Sequence, residues 1–423
     1  MIRYILLIII LIFPMLYCNL QAQTSPAGEV EAMLGFGRAV AVDNNVVFIG
    51  EPDNPHQPGV VYIYDKSTNE WAERAKLSAS DAEFNNRFGS ALSASDGHVV
   101  IGAPGQYDNR GAVYLFGSDD GEWNGLKTFV LPDSVEGARF GTSVLLHNNN
   151  LFVGAPTAAD TLGAVYVFEK SDDDWTQKAE IISTDTTVGT GFGSSLEVQD
   201  GTLLVGAPGR EGGAVFVFES ESSGMSSWTE KTMLTNRRLT NRAGFGSTLG
   251  IWEDLILIGA PRQSSFSGAV FVYTRDEATD EWMSNGSLVA YDSEPRYQFG
   301  SSIAILEEEV WVGAPRADGG RGAIYQFRSS ENTGEWMGVE KLTHSGAEQS
   351  DQFAGTFAVG GDVAVAGLTG ADYGAGKAAI LERDDTGTWA VQTNVQSERS
   401  SVLKAITGKK VKCKNGKADR FSC

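Results

Sequence analysis

The chain has 423 residues, 50 of them Gly and 12 Pro, and carries 54 acidic against 33 basic side chains for a net charge of −21. A charge of that sign and size repels nucleic acid and anionic membrane surfaces, so neither is an expected partner. Eight Lys or Arg crowd into residues 399–423, so the body before them is more acidic than the total suggests.

In chain order, Met1-Ile2-Arg3 leads into an apolar run from Tyr4 to Cys18, then Gln21-Ala22-Gln23. One positive charge, a run of that length and a small residue near its end describe a secretory signal peptide over residues 1–22. The run is shorter than the roughly 20 residues a spanning helix needs, so the mature protein is expected to be exported, with no membrane insertion after cleavage. Tyr17 stands where a lipoprotein would place a small residue before its Cys, which argues against lipidation at Cys18.

Residues 28–396 repeat. Phe36-Gly37, Phe88-Gly89, Phe140-Gly141, Phe192-Gly193, Phe245-Gly246 and Phe299-Gly300 recur at a period of 52–54 residues, with a worn seventh copy at Phe353-Ala354. Fourteen residues after each Phe stands the glycine of a Gly-Ala-Pro or its variant: Gly50, Gly102, Gly154, Gly206, Gly259, Gly313 and Gly367. A fixed period of this length marks units that cannot bury their faces alone and must stack.

The unit opening at Phe140 shows what each period builds. An extended apolar stretch from Phe140 to Leu146 is followed by His147-Asn148-Asn149-Asn150, hairpin chemistry, and then by Leu151 to Ala155, which Pro156 stops. Gly163 to Phe168 alternates at period two, an acidic turn from Glu169 to Asp174 follows, and Trp175 opens a last run to Ile182. The same Trp recurs at Trp71, Trp123, Trp228, Trp282, Trp336 and Trp389. Four strands per unit in seven units predict an all-β fold, a seven-bladed β-propeller of four-stranded antiparallel blades. The recurring Phe and Trp are expected to plug the gaps between blades, and the small residues of Gly-Ala-Pro to let backbones crowd near the axis.

Phe-Gly, fourteen residues, Gly-Ala-Pro resembles the signature of FG-GAP repeats, which form the N-terminal propeller of integrin α subunits and occur in bacterial relatives. The resemblance spans nearly all of the body and implies an adhesion or surface-recognition module. The Gly59, Tyr64, Trp71 rhythm also looks like kelch repeats, which likewise build propellers. Integrin-type repeats often hold Ca²⁺ in the first hairpin through a loop of the form Asp-x-Asp/Asn-x-Asp-Gly-x-x-Asp. Here the hairpins at His147–Asn150, Glu307–Glu309 and Gly360–Asp362 are too short and too poor in carboxylates to surround an ion. No metal site and no cofactor are therefore expected.

The basic tail, 397–423, holds Cys413 and Cys423, which are candidates for one disulfide in an exported chain. Its run from Cys413 through Gly416 and Phe421 to Cys423 resembles the segment opening the second domain of choice-of-anchor B surface proteins, implying the start of a further domain.

No residue is a candidate for catalysis. His56, His98, His147 and His344 are scattered without ligand spacing, and neither a Gly-x-Ser-x-Gly elbow nor a His-Glu-x-x-His occurs. The loops joining strand two to three and strand four to the next Phe-Gly share one face, and the second set varies most, which is where binding usually sits. Arg110, Arg210, Arg262, Arg316 and Arg321 recur there after Gly-Ala-Pro. They either ring a partner's carboxylates or pair with neighbouring acids. The expectation is an exported or cell-surface binding propeller for a protein or glycan; the alternative is a secreted, glycosidase-like hydrolase with a carboxylate pair on the same face.

Overall fold

The computed structural model describes residues 35–397 apart from 54–56, 67–69, 133–134, 173, 188, 221–224, 226, 307–308 and 331–334. The expected signal peptide and the tail cysteines Cys413 and Cys423 lie outside the described residues. So does His56.

Blade three shows why these residues make these strands. Its strands are Ser143–His147, Asn150–Ala155, Ala164–Ser171 and Asp174–Ile181. The second is buried along its whole length and the third along most of it, which is why both read as unbroken apolar runs. The fourth is largely exposed and reads as mixed polar sequence. A two-residue turn joins the first pair, with His147 opposite Asn150 and Asn148 in the left-handed region at φ 53°.

Seven such antiparallel sheets follow one another, each built from four consecutive strands. The first blade uses Val40–Asp43, Val46–Glu51, Val60–Asp65 and Ala72–Leu77, and the seventh ends with Lys377–Arg383 and Trp389–Val395. Each first strand touches the first strands of its neighbours, and that of blade one touches that of blade seven. The molecule is thus a closed seven-bladed propeller, and no blade borrows a strand from the other end of the chain.

The Phe-Gly pairs differ from expectation. They precede the first strand rather than opening it. The Phe140 N–H donates to the Arg110 carbonyl of blade two at 2.9 Å, forming a parallel bridge with that blade. Gly141, at φ +87°, then turns the chain so that its own N–H reaches the Gly154 carbonyl at 3.1 Å across the hairpin. The constant spacing of fourteen is the length of hairpin that this bond closes. Gly154 in turn backs onto the next blade: a Cβ there would stand 2.0 Å from the Gly193 carbonyl oxygen. The same contact joins Gly50 to Gly89, Gly102 to Gly141, Gly206 to Gly246, Gly259 to Gly300 and, closing the ring, Gly367 to Gly37. In the seventh blade Ala354 takes the turn at φ +64°, and the register shifts between Phe353 and Phe357.

Hydroxyls reinforce these seams. Ser143, Ser195, Thr248, Ser302 and Thr356 each donate to the carbonyl of the next blade's turn, at 2.7, 2.7, 2.9, 3.0 and 2.8 Å respectively. Aromatic rings fill the rest. Phe36, Phe88, Phe140, Phe192, Phe245, Phe299 and Phe353 are fully buried. Phe140, for example, lies edge-on to Tyr166 at 5.6 Å and Phe192 to Phe216 at 5.2 Å. The fourth-strand tryptophans reach across: Trp123 to Phe48 at 5.1 Å, Trp228 to Phe152 at 5.6 Å and Trp389 to Trp311 at 4.9 Å. Trp175 packs on Phe129 at 6.0 Å, while Trp282 and Trp336 rest against the seams of blades four–five and five–six. Seven apolar clusters result, one in each gap between neighbouring blades. Each fully buried Phe is worth about 1.5–3 kcal/mol by transfer, which makes the seams the main source of stability.

Ring closure adds two polar links. The Trp71 indole N–H donates to the Glu382 carboxylate at 2.7 Å, and the Lys66 ammonium pairs with the same carboxylate at 2.7 Å.

Candidate functional site

The loops between strands two and three have a recurrent backbone. In five blades the chain makes a short left-handed turn: Tyr107, Asp108 and Asn109; Ala159, Asp160 and Thr161; Ser264, Ser265 and Phe266; Asp318, Gly319 and Gly320; and a fifth containing Asp372 and Gly374, all at positive φ. For an ordinary L-residue this conformation costs roughly 1–2 kcal/mol. What offsets it is a clip onto the next blade. The carbonyls of Asn109, Thr161, Phe266 and Gly320 accept the N–H groups of Arg139, Gly189, Gln298 and Gln352 at 2.9, 2.9, 2.8 and 3.0 Å. Each turn thereby fixes the incoming loop of its neighbour, and the whole face is held from below.

Side chains fix it from within. Asp81 accepts hydrogen bonds from the hydroxyls of Tyr107 and Tyr114, the latter at 2.7 Å. Asp292 accepts from Tyr325 and from Lys341, both at 2.7 Å, and the Lys341 ammonium also reaches Asp318 at 2.9 Å. Asp53 lies between the guanidinium groups of Arg38 and Arg87. The Asp185 carboxyl is held below the usual range by its hydrogen bonds to Thr187 and Arg210. Burial alone would raise Asp292, but Lys341 and Tyr325 outweigh it and hold that carboxyl low as well. Burial, followed by bonding to these carboxylates, pushes Tyr114 and Tyr325 up. Carboxylates held low and ionised suit anchoring. A general acid needs the reverse.

The five arginines singled out by sequence separate. Arg210 is ion-paired with Asp185 at 2.7 Å, Arg321 hydrogen-bonds the Asp318 carbonyl at 3.4 Å, and Arg110 lies over the Tyr107 ring at 5.3 Å. Arg262 and Arg316 are exposed and make no ion pair with any described residue. They occupy equivalent posts on neighbouring blades, each following Gly-Ala-Pro, with backbone N–H groups bound to Ala243 and Tyr297 at 3.0 and 3.2 Å. The Arg262 side chain lies across Gly244, where an added Cβ would meet its Nε at 3.1 Å. Sequence reasoning passed over Arg296, also exposed and outside any ion pair, because it belongs to the loop before Phe299 and not to the Gly-Ala-Pro rhythm.

Of the histidines, His344 is buried, with its Nε2 at 2.7 Å from the Asn394 amide oxygen and its Nδ1 accepting from the Gly346 N–H, which fixes the ring's orientation in a structural role. His147 is held low by burial, against a smaller opposing pull from Asp200. One carboxyl stands apart from all of these. Glu197 shares a side of its strand with Ser195, so it faces the seam between blades four and five, lined by Leu249 and Ile251, and burial pushes it up to about 7. Among the described residues no group of three or more His, Cys, Asp or Glu is placed to hold a metal ion.

The FG-GAP repeat family matches residues 71–116, 123–168 and 175–218. The chain is an integrin-α-like FG-GAP propeller. Integrin alpha-3 of Cricetulus griseus is 30% identical to it over 218 residues, which cover 45% of this chain and 20% of that one. Integrin alpha-D of Homo sapiens is 25% identical over 278 residues, covering 62% and 19%. This propeller thus spans about a fifth of the length of these curated relatives. Among solved structures, one titled a putative 6-phosphogluconolactonase from Bacteroides uniformis superposes with a TM-score of 0.54 at 12% identity, over 80% of this chain and 92% of that one. A second with that title, from Bacteroides fragilis, gives 0.54 at 13%, over 80% and 91%. At such identities the likeness is one of fold alone.

Proposed function

We propose that this FG-GAP propeller is an exported or cell-surface recognition module that binds a protein or glycan through the face carrying its strand two–three turns and strand four–one loops, without catalysis. The observation that carries the reading is the pair Arg262 and Arg316: two exposed cations on adjacent blades, without acidic partners among the described residues, on a face where Asp81, Asp292 and Asp185 are already tied to tyrosines, lysine and arginine. Sequence likeness to integrin α chains supports an adhesion-type role. The apolar run before residue 22 supports export.

The test is capture from envelope and from host or matrix extracts with immobilised wild-type protein and with the Arg262→Ala/Arg316→Ala double variant. The reading expects a partner retained by the wild type and largely lost from the variant. Equal capture by both removes the arginines from the binding surface.

A further inference from the structure

We propose that a cleft on the loop side of blade six is a carboxylate-binding subsite that takes an acidic side chain or chain terminus of a protein segment. This rests on the loop-face reading above and narrows it.

The cleft encloses about 360 Å³ between three elements: the loop before Phe299, the left-handed turn of blade six and the loop before Phe353. Arg296 and Arg316 line it together with Gly319, Gly320 and Gln352. Both guanidinium groups are exposed and neither is neutralised by a described carboxylate. An Arg fork recognises a carboxylate through two parallel N–H groups, and two such forks line this one cleft.

The backbone carrying these cations is fixed. The Arg296 N–H is bound to the Ser265 carbonyl at 3.3 Å, Gln298 to Phe266 at 2.8 Å, Arg316 to Tyr297 at 3.2 Å and Gln352 to Gly320 at 3.0 Å. A fixed backbone limits the ordering cost of binding to the arginine side chains themselves, which favours a small ligand group.

Two observations favour a protein segment over an acidic polysaccharide. Glu294 lines the same cleft, on a chain of net charge −21, so a continuous polyanion would meet repulsion beside the two arginines. Phe266 is 47% exposed, and its carbonyl is bonded to the loop that carries Arg296. A phenyl ring beside a cationic cleft suits a carboxylate with an apolar neighbour, a combination that peptides supply.

Selection of phage-displayed random heptapeptides on the wild-type protein tests this. The selected peptides should be enriched in Asp or Glu next to an apolar residue. Their affinity should fall about tenfold or more for Arg296→Gln and for Arg316→Gln, and recover in part with Arg316→Lys. Arg328→Gln, on the opposite face and paired with Glu309, should bind as the wild type does. Melting temperatures serve as the folding control, since both cleft arginines are exposed.

Failure to select peptides, selection without acidic enrichment, or equal binding by both cleft variants overturns the proposal. So does binding of alginate that is lost in these variants, which would assign the cleft to a glycan. Partner capture from extracts that persists in Arg296→Gln and Arg316→Gln leaves the loop-face reading standing and sinks only this subsite.

Discussion

The seams between blades and the loop face are built on opposite plans. In the seams the same few residues recur around the ring: a buried Phe, a glycine turned to positive φ and a second glycine pressed on the neighbouring backbone. On the loop face the side chains differ from blade to blade while the backbone clips recur: the residue following Gly-Ala-Pro or its variant is Gly105, Thr157, Gly209, Arg262 or Arg316 in blades two to six, though its neighbourhood is held by the same type of hydrogen bond. Constancy therefore marks where the ring is held together, and variation on fixed posts marks where chemistry is free to change.

The largest expected effect breaks a seam. Gly154→Ala puts a methyl 2.0 Å from the Gly193 carbonyl oxygen, and neither backbone can withdraw without opening the gap between blades three and four. We expect a loss of about 4 kcal/mol or more, measured by chemical denaturation. Gly154 lies outside the left-handed region, so its loss comes from close approach alone, whereas Gly97→Ala, at φ +72° with no atom within 4 Å of its new Cβ, should cost only about 1 kcal/mol, the penalty of the left-handed backbone. A loss at Gly154 no larger than that at Gly97 would show that close approach between blades does not set the glycine at this post.

An intermediate effect comes from Glu197, a half-buried carboxyl that faces a seam. Glu197 has its pKa raised by burial to about 7, so the folded protein keeps that proton at pH values where the unfolded chain has released it. Below the ordinary glutamate range the side chain is neutral in both states and costs nothing. As pH rises through that range towards 7 the penalty grows, and it is complete above 7. Glu197→Gln should therefore stabilise the protein by on the order of 2 kcal/mol at pH 8, allowing for the partial exposure of this side chain, and by nothing at pH 4. A gain that does not vary with pH would contradict a buried, titrating carboxyl.

The smallest effect belongs to the loop face. Arg262→Ala/Arg316→Ala should alter stability by no more than about 0.5 kcal/mol, since neither side chain is buried or paired. A larger loss would place these arginines among the structural contacts.

How far the amino-acid sequence reveals this molecule follows from the same contrast. The propeller is legible because its seams repeat seven times, so Phe140, Gly141 and Gly154 can be recognised against six parallel cases. Its closure is not legible: Trp71 and Glu382 meet across 311 residues with no local signal. The left-handed turns are hidden for a different reason. Tyr107, Ala159 and Phe266 are not residues that prefer positive φ, and the carbonyl clips to the next blade, a tertiary effect, help hold their turns there. Among the arginines, sequence could place all five after Gly-Ala-Pro yet could not separate Arg210, neutralised by Asp185, from Arg262 and Arg316.

The central claim is that binding occurs on the loop face. Cross-linking the propeller to its captured partner, followed by mass spectrometry, tests it most directly. The account predicts that cross-links fall on the strand two–three turns and strand four–one loops, around residues 262–266, 292–298 and 316–321. Cross-links gathered instead at the opposite face, around the Asp96–Gly97 and Asp200–Gly201 hairpins, would contradict it.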